Sequence, residues 1–192
     1  FKNLINKKIH VVELGLNLEL FNRKKNRIKK SIIYVGALEK RKNIEFLIKV
    51  FKKIYIKNNN FTLNIIGDGP QYKEILKKVK NQNLPVKFFG RLNSKQVIEN
   101  LLENEIYLHT SIKESFSYSL LEAKLSGLIT LAYSNLEVPS DFIDIPLEQF
   151  DENIWANKIL NLENNKKKNI LNSKYSIVES TNKLLNFIKW KK

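Results

Sequence analysis

Apolar runs of strand length alternate with segments of helical period along most of this chain, and that alternation admits few folds. Ser31-Ile-Ile-Tyr-Val-Gly36 reads as a buried strand ending at a glycine. From Asn43, the apolar residues Ile44, Leu47, Ile48 and Phe51 recur at helical spacing and predict a helix to about Lys57. Asn58-Asn-Asn60 is a turn, and Phe61–Ile66 predicts the next strand. Gly67-Asp-Gly-Pro70 then switches strand to helix, with Pro70 expected at the first helical position of a helix through Ile75, Leu76 and Val79. Pro85–Phe89 reads as a strand ending at Gly90-Arg91, and Ser94 is expected to cap a helix carrying Val97, Ile98, Leu101 and Leu102. Glu105–His109 and Leu128–Ala132 are two more strands, and Ile9–Glu13 is strand-like. Asp151 is expected to cap a helix through Ile154, Trp155 and Ile159, and a last amphipathic helix spans roughly Ser176 to Trp190. Repeated strand–helix order predicts an α/β fold, a doubly wound parallel sheet with helices on both faces. Connections are short and no repeat is visible. The expectation is one domain over residues 1–192, with about 1–30 as a leading segment and 176–192 as a terminal helix.

Composition excludes several chemistries. With no cysteine there are no disulfides or thiolate metal sites. His10 and His109 are far apart with no motif around them, so no metal is expected. No apolar run approaches the ~20 residues of a membrane span, and no signal peptide is visible. The expectation is a cytoplasmic protein. The chain lacks methionine and opens on Phe1, which reads as a piece of something longer. Its net charge of +15 is uneven: residues 1–57 hold 16 basic against 4 acidic side chains, whereas 103–152 hold 10 acidic residues against Lys113 and Lys124. A basic half suits phosphorylated ligands or anionic lipid headgroups, while solvated helix faces in a lysine-rich chain explain it equally well. No aromatic-basic RNA motif or recognition helix is present, so nucleic acid is not an expected partner.

In sheets of this kind ligands bind beyond the carboxyl ends of the strands, where glycines let backbone come close. Three loops qualify, after Val35, Ile66 and His109. In Gly36-Ala-Leu-Glu-Lys-Arg-Lys42-Asn43 three cations precede a helix N-terminus, an arrangement that attracts phosphate. Gly67 serves either a tight strand-to-helix turn or a ligand lying against the main chain. The third loop carries Glu114-Ser-Phe-Ser-Tyr-Ser-Leu-Leu-Glu122. Ser119 and Glu122 have capping-box spacing, so Glu122 could merely satisfy the first turn of a helix. It could equally accept two ribose hydroxyls, as acidic residues do in dinucleotide sites. Glu114 could then accept hydroxyls of a second sugar, with the Phe116–Tyr118 amides on a phosphate between them. A ligand with hydroxyls at both ends and phosphate in the middle is a nucleotide sugar.

The segments Val35-Gly-Ala-Leu-Glu-Lys-Arg-Lys42-Asn43, Ile65-Ile-Gly-Asp-Gly-Pro70, Phe88-Phe-Gly90 and Ser111-x-x-Glu114-Ser-Phe-Ser-x-x-Leu-Leu-Glu122-Ala123-x-x-x-Gly127 resemble, in order and spacing, the C-terminal domain of GT-B retaining glycosyltransferases. The nearest likeness is to the large bacterial family 4, which builds capsule, lipopolysaccharide and related glycans. The resemblance runs from about Val11 to the end of the last helix. It implies a Rossmann-like domain that binds a UDP- or GDP-sugar, needs no metal, and transfers the sugar to a glycan or lipid-linked acceptor (a hexosyltransferase-like activity). It also implies an N-terminal acceptor domain outside these 192 residues. By the same resemblance Lys42 binds the diphosphate and, with Glu114 by the donor sugar, forms the catalytic pair. Phe116, Ser117, Tyr118 and Ser119 supply the loop that meets sugar and phosphate, and Glu122 grips the ribose. Gly36, Ala37, Gly67 and the Gly90-Arg91-Leu92 turn line the nucleotide crevice.

The departures from the family pattern are specific. Ala37 stands where an arginine usually forms a second diphosphate clamp, a role that Arg41 or Lys40 could take. Ser115 and Ser117 replace the glycines of the usual Glu-Gly-Phe-Gly, Ser134–Pro139 replaces a glycine-rich turn, and Glu13–Asn17 replaces Asn-Gly-Val-Asp. They motivate a second expectation, a degenerate nucleotide-sugar-binding module without catalysis. A third is a GT-B nucleotide-sugar epimerase. Peripheral contact with the inner face of an anionic cytoplasmic membrane is the expectation attached to the basic N-terminal third.

Overall fold

A computed structural model describes residues 15–23, 25–162 and 175–189, which group into two compact units. One lies within Arg23–Asn169 and holds the sheet; the other lies within Phe1–Asn22 and Ile170–Lys192. In the smaller unit the leading segment meets the last helix. Leu16 bridges Ser176, and its amide donates to Tyr175 O at 2.8 Å while its carbonyl accepts from Ile177 N at 2.9 Å. The strand expected over Ile9–Glu13 lies outside the described residues.

The larger unit carries six strands: β1 (Ser31–Val35), β2 (Thr62–Ile66), β3 (Val86–Gly90), β4 (Ile106–His109), β5 (Ile129–Tyr133) and β6 (Ile145–Leu147). All pair in parallel, in the order β3-β2-β1-β4-β5-β6. Five of the six were legible as apolar runs. The sixth, Ile-Pro-Leu, is too short to show a period, and a proline is tolerated there because β6 is an edge strand.

Helices α1 (Ile44–Lys57), α2 (Tyr72–Asn81) and α5 (Glu152–Leu160) share one face of the sheet. There Phe46 meets Phe150 and Trp155 edge-to-face at 5.2 and 5.1 Å. Ile32 and Tyr34 of β1 point into this cluster and Ile33 does not, as strand alternation requires. On the other face α3 (Ser94–Glu103) and α4 (Tyr118–Leu125) pack together, α4 lying on β4 and β5. Helix α6 (Ile177–Lys189) belongs to the smaller unit.

Two helix starts differ from the sequence expectation. Asn93, not Ser94, caps α3, because Asn93 and Gln96 satisfy each other's backbone amides at 2.9 and 3.1 Å in a reciprocal capping box. Pro70 is not the first helical residue; α2 begins at Tyr72. Residues 67–70 are held in a turn, in which Gly69 N donates to the Asp68 carboxylate at 2.7 Å.

This topology places a switch point between β1 and β4. Chain leaving β1 crosses to α1 on one face, and chain leaving β4 enters α4 on the other. The loops after these two strands therefore diverge and leave a crevice at their carboxyl ends. The loop after β2 closes tightly on the first of them. Gly36 N donates to Ile66 O at 3.0 Å, Leu38 N to Asp68 O at 3.0 Å and Gln71 N to Leu38 O at 2.9 Å. A Cβ on Gly67 (φ +137°) would overlap the Gly36 carbonyl oxygen, and one on Gly69 would stand 2.6 Å from Leu38 O. Gly67 is thus required for backbone packing against backbone. Gly90 (φ +66°) faces open space, so a side chain there meets only conformational strain. Gly67→Ala is expected to cost well over the ~1 kcal/mol of a left-handed non-glycine residue, and Gly90→Ala about that much. Urea unfolding of the two variants measures the difference.

Candidate functional site

The loop after β1 is shaped by charge and by one left-handed residue. Lys40–Lys42 make a single 3-10 turn, and Asn43 (φ 52°, ψ 46°) then caps α1, a conformation asparagine tolerates well. The turn sends Lys42 inward, where its side chain is 14 % exposed, and leaves Arg41 half out. The loop after β4 is laced to it: Thr110 Oγ1 donates to Lys42 O at 2.9 Å, and Ile112 N donates to Arg41 O at 3.0 Å.

These bonds bring Glu114, only 7 % exposed, against both cations. Lys42 Nζ donates to Glu114 Oε1, and Arg41 donates to Glu114 Oε2 at 3.3 Å and to Glu39 at 2.9 Å. His109 Nε2 stands 3.6 Å from the same Oε1. Burial works to raise the Glu114 carboxyl, but His109, Lys42 and Ser111 around it outweigh that and hold it well below the usual carboxylate range. Burial lowers the His109 imidazole and favours its neutral form.

Helix α4 follows the loop. Its N-cap is Ser117, whose hydroxyl accepts from Leu120 N at 3.3 Å and lies 3.3 Å from Ser119 Oγ. The expected Ser119–Glu122 capping box therefore does not form, because Ser119 is already inside the first turn. Glu122 has a different environment. Its carboxylate is largely buried and makes no side-chain hydrogen bond or ion pair among the described residues, and burial pushes its carboxyl up to about 7. The negative charges of Glu122 and Glu114 both act on the buried Tyr107 phenol, whose own shift upward comes first from burial. The Tyr107 hydroxyl donates to Val35 O at 3.1 Å. Phe116 packs edge-to-face on Tyr118 and on Phe142, at 5.2 and 5.5 Å.

A second feature opens at the ends of β1, β2 and β3. A cleft of about 510 Å³ is bounded by Gly36, Ala37, Gly67, Asp68, Arg91 and Leu92 among others. Gly90 lies beneath it, its carbonyl accepting from Gly67 N at 2.8 Å. The residues singled out from sequence thus fall into three neighbouring groups: the cleft lining, the Lys42–Glu114 pair, and the α4 residues Phe116–Glu122. Sequence reasoning gave no site role to His109, Ser111 or Tyr107, although Ser111 opens the Glu114 motif. The signal was the position of all three on or just after the strand that leads into the Glu114 motif. Among the described residues no cluster of three or more His, Asp or Glu side chains could hold a metal, and no helix is long and apolar enough to cross a membrane.

A family model described as glycosyl transferases group 1 matches residues 19–173. An uncharacterized 41.2 kDa protein of the cps region of Klebsiella pneumoniae is 29 % identical over 135 residues, covering 69 % of this chain and 35 % of that protein. The poly(ribitol-phosphate) alpha-N-acetylglucosaminyltransferase of Staphylococcus aureus is 28 % identical over 141 residues, covering 71 % and 29 %. The chain spans roughly a third or less of the length of these relatives. Among solved structures, the pneumococcal O-GlcNAc transferase in complex with UDP and GlcNAc superposes with a TM-score of 0.73 at 21 % identity, over 93 % of this chain and 38 % of that one. Anabaena HepE in complex with UDP and glucose superposes at 0.75 and 17 % identity, over 94 % and 56 %. At such identities the likeness speaks for the fold.

The environment of Glu122 has a measurable sign. A carboxyl held near 7 in the folded state and near 4.5 when unfolded makes the folded state bind the proton more tightly. The stability this contributes is full below about pH 4.5 and is lost as pH rises through about 7. Glu122→Gln is expected to remove that loss. It should gain on the order of 1–3 kcal/mol over wild type at pH 8 relative to pH 5, read by thermal melts at both values.

Proposed function

Because the chain belongs to the glycosyl transferases group 1 family, we propose that it is the donor-binding half of a retaining enzyme that transfers a sugar from a UDP- or GDP-sugar to a glycan or lipid-linked acceptor. The observation that carries this reading is the meeting of Lys42, Arg41 and Glu114 at the β1/β4 switch point. Cations and an acceptor of hydroxyls stand side by side there, beside a cleft lined by backbone. The presence of UDP in the complexes of the pneumococcal and Anabaena neighbours supports a nucleotide as the ligand.

In this reading the base lies in the cleft against the Gly90-Arg91-Leu92 turn, between it and Gly36-Ala37. Glu122 accepts the ribose hydroxyls; a carboxylate already desolvated and lacking a side-chain partner loses little by doing so. Lys42 meets the diphosphate, together with the Tyr118 and Ser119 amides, which occupy the first turn of α4 and have no intrahelical acceptor. Glu114 faces the donor sugar. As the sugar–phosphate bond breaks, negative charge grows on the diphosphate. A fixed ammonium and a helix N-terminus then stabilise the transition state more than the ground state. No residue is assigned as a covalent nucleophile, and no step requires a metal. Acceptor recognition is assigned to those parts of the longer relatives that this chain does not match.

One observation favours a second reading, a binding module without catalysis. Ser117 uses its hydroxyl on Leu120 N, one of the amides that a glycine at this position would leave for the ligand. Hydrolysis of a donor sugar by the full-length protein would exclude that reading.

Calorimetry with UDP and GDP tests the site. Wild type is expected to bind one of them, Lys42→Ala and Glu122→Ala each to lose about tenfold or more. Equal binding by wild type and Glu122→Ala removes the ribose assignment. Peripheral attachment to an anionic membrane is proposed with it, through the basic N-terminal third, where α1 exposes Lys49, Lys52 and Lys57 together with Ile56, itself 72 % exposed. Pelleting with vesicles containing phosphatidylglycerol, and not with neutral vesicles, is the expected outcome, weakening as salt rises.

A further inference from the structure

The solvent side of the Glu114 carboxylate is taken by Lys42 and Arg41; its buried side is lined by His109 and Ser111, which help to hold the carboxyl low. His109 is 1 % exposed and Ser111 fully buried. Among the described residues His109 Nε2 and Ser111 Oγ each lack a hydrogen-bond partner. Both nevertheless act on the Glu114 carboxyl, and His109 Nε2 is 3.6 Å from the oxygen that Lys42 holds. The ring cannot turn elsewhere. It stacks on Tyr107 with centroids 5.9 Å apart, and its Nδ1 lies 3.4 Å from the Tyr107 hydroxyl. Burying polar atoms without partners is costly, so two such atoms beside one carboxylate call for a state in which they are satisfied.

The proposed donor supplies that state. Lys42 has three donors but one charge, and a diphosphate competes with Glu114 for it. As the diphosphate takes it, Glu114 keeps only the half-exposed Arg41 on Oε2, and Oε1, buried on the His109 side, is left without a cation next to the incoming phosphates. A buried charge that loses its partner is strongly destabilising. In the neutral tautomer that carries its hydrogen on Nε2, with Nδ1 the acceptor, a movement of a few tenths of an ångström toward the strand would bring Oε1 within hydrogen-bond reach of Nε2–H, with the Ser111 hydroxyl as second donor. We propose that His109 and Ser111 form a second seat for the Glu114 carboxylate, occupied when the donor diphosphate draws Lys42 away. Both are positioning residues: they keep Glu114 facing the sugar while its cation is engaged elsewhere. The inference rests on the reading of the site as a nucleotide-sugar site.

The test compares nucleoside with nucleoside diphosphate. Affinities for uridine and UDP, and for guanosine and GDP, are measured on wild type, Ser111→Ala, His109→Gln, and His109→Phe combined with Ser111→Ala. Each change is also made in a Glu114→Gln background, and melting curves check folding. The combined variant is expected to lose about tenfold or more for the diphosphate while nucleoside affinity stays within about twofold. Ser111→Ala is expected to lose less in the same direction, and His109→Gln, which keeps a donor, to hold near wild type. With Glu114→Gln there is no anion to reseat, and the further changes should become nearly silent. Equal losses for nucleoside and diphosphate, or losses that persist in the Glu114→Gln background, would overturn the second seat and mark a packing role. If the combined variant does not fold, the decision falls to Ser111→Ala, where an unchanged diphosphate affinity overturns it. Wild type binding neither diphosphate would overturn the site reading itself, and the second seat with it.

Discussion

A carboxylate buried at the carboxyl end of a parallel sheet must be neutralised, and the pairing of Glu114 settles where two loops of this protein lie. Lys42 and Arg41 reach it from the loop after β1, and the carboxylate itself arrives on the loop after β4. The bonds from Thr110 Oγ1 to Lys42 O and from Ile112 N to Arg41 O lace the two loops together at the backbone. The ion pair then joins them through side chains. Because β1 and β4 are neighbours in the sheet although three helices separate them in the chain, this contact also closes the crevice at the switch point.

Around that pair the site divides into rigid backbone and adjustable charge. The turn after β2 is pressed onto the turn after β1 so closely that Gly67 and Gly69 have no room for a side chain. It therefore serves as a fixed wall of the cleft. The charged groups are a different kind of element. Glu114 is ionised among donors, whereas Glu122, eight residues on, is pushed toward neutrality by burial alone. Two carboxylates of one motif are thus shifted in opposite directions, which suits one to work beside a cation and the other to accept neutral hydroxyls.

Most of the fold was legible because its strands are apolar runs of five or so residues between helices of clear period. Ile44 through Ile54 and Val97 through Leu102 show this most plainly. What was illegible was local. Β6 is three residues with a proline, and only its pairing to β5 makes it a strand. Asn93 and Ser94 are both good caps, and the choice fell to the one whose partner, Gln96, could reach back. The Ser119–Glu122 spacing is a genuine capping-box signature, displaced because Ser117 starts the helix two residues earlier.

In the site, sequence alone determined which residue types cluster after which strands: cations after β1, glycines after β2, and the paired glutamates after β4. Those are properties of chain order, and chain order in a doubly wound sheet dictates which loops share an edge. Only the tertiary structure decided that Gly67 packs on main chain, that the Glu114 carboxyl is held low while that of Glu122 is pushed up, and that His109, isolated in the sequence, sits behind Glu114. Those facts depend on burial and on how the folded loops meet, across 31 positions for Gly36 and Gly67 and 72 for Lys42 and Glu114. No local pattern encodes them, since burial and loop packing exist only once the sheet has formed.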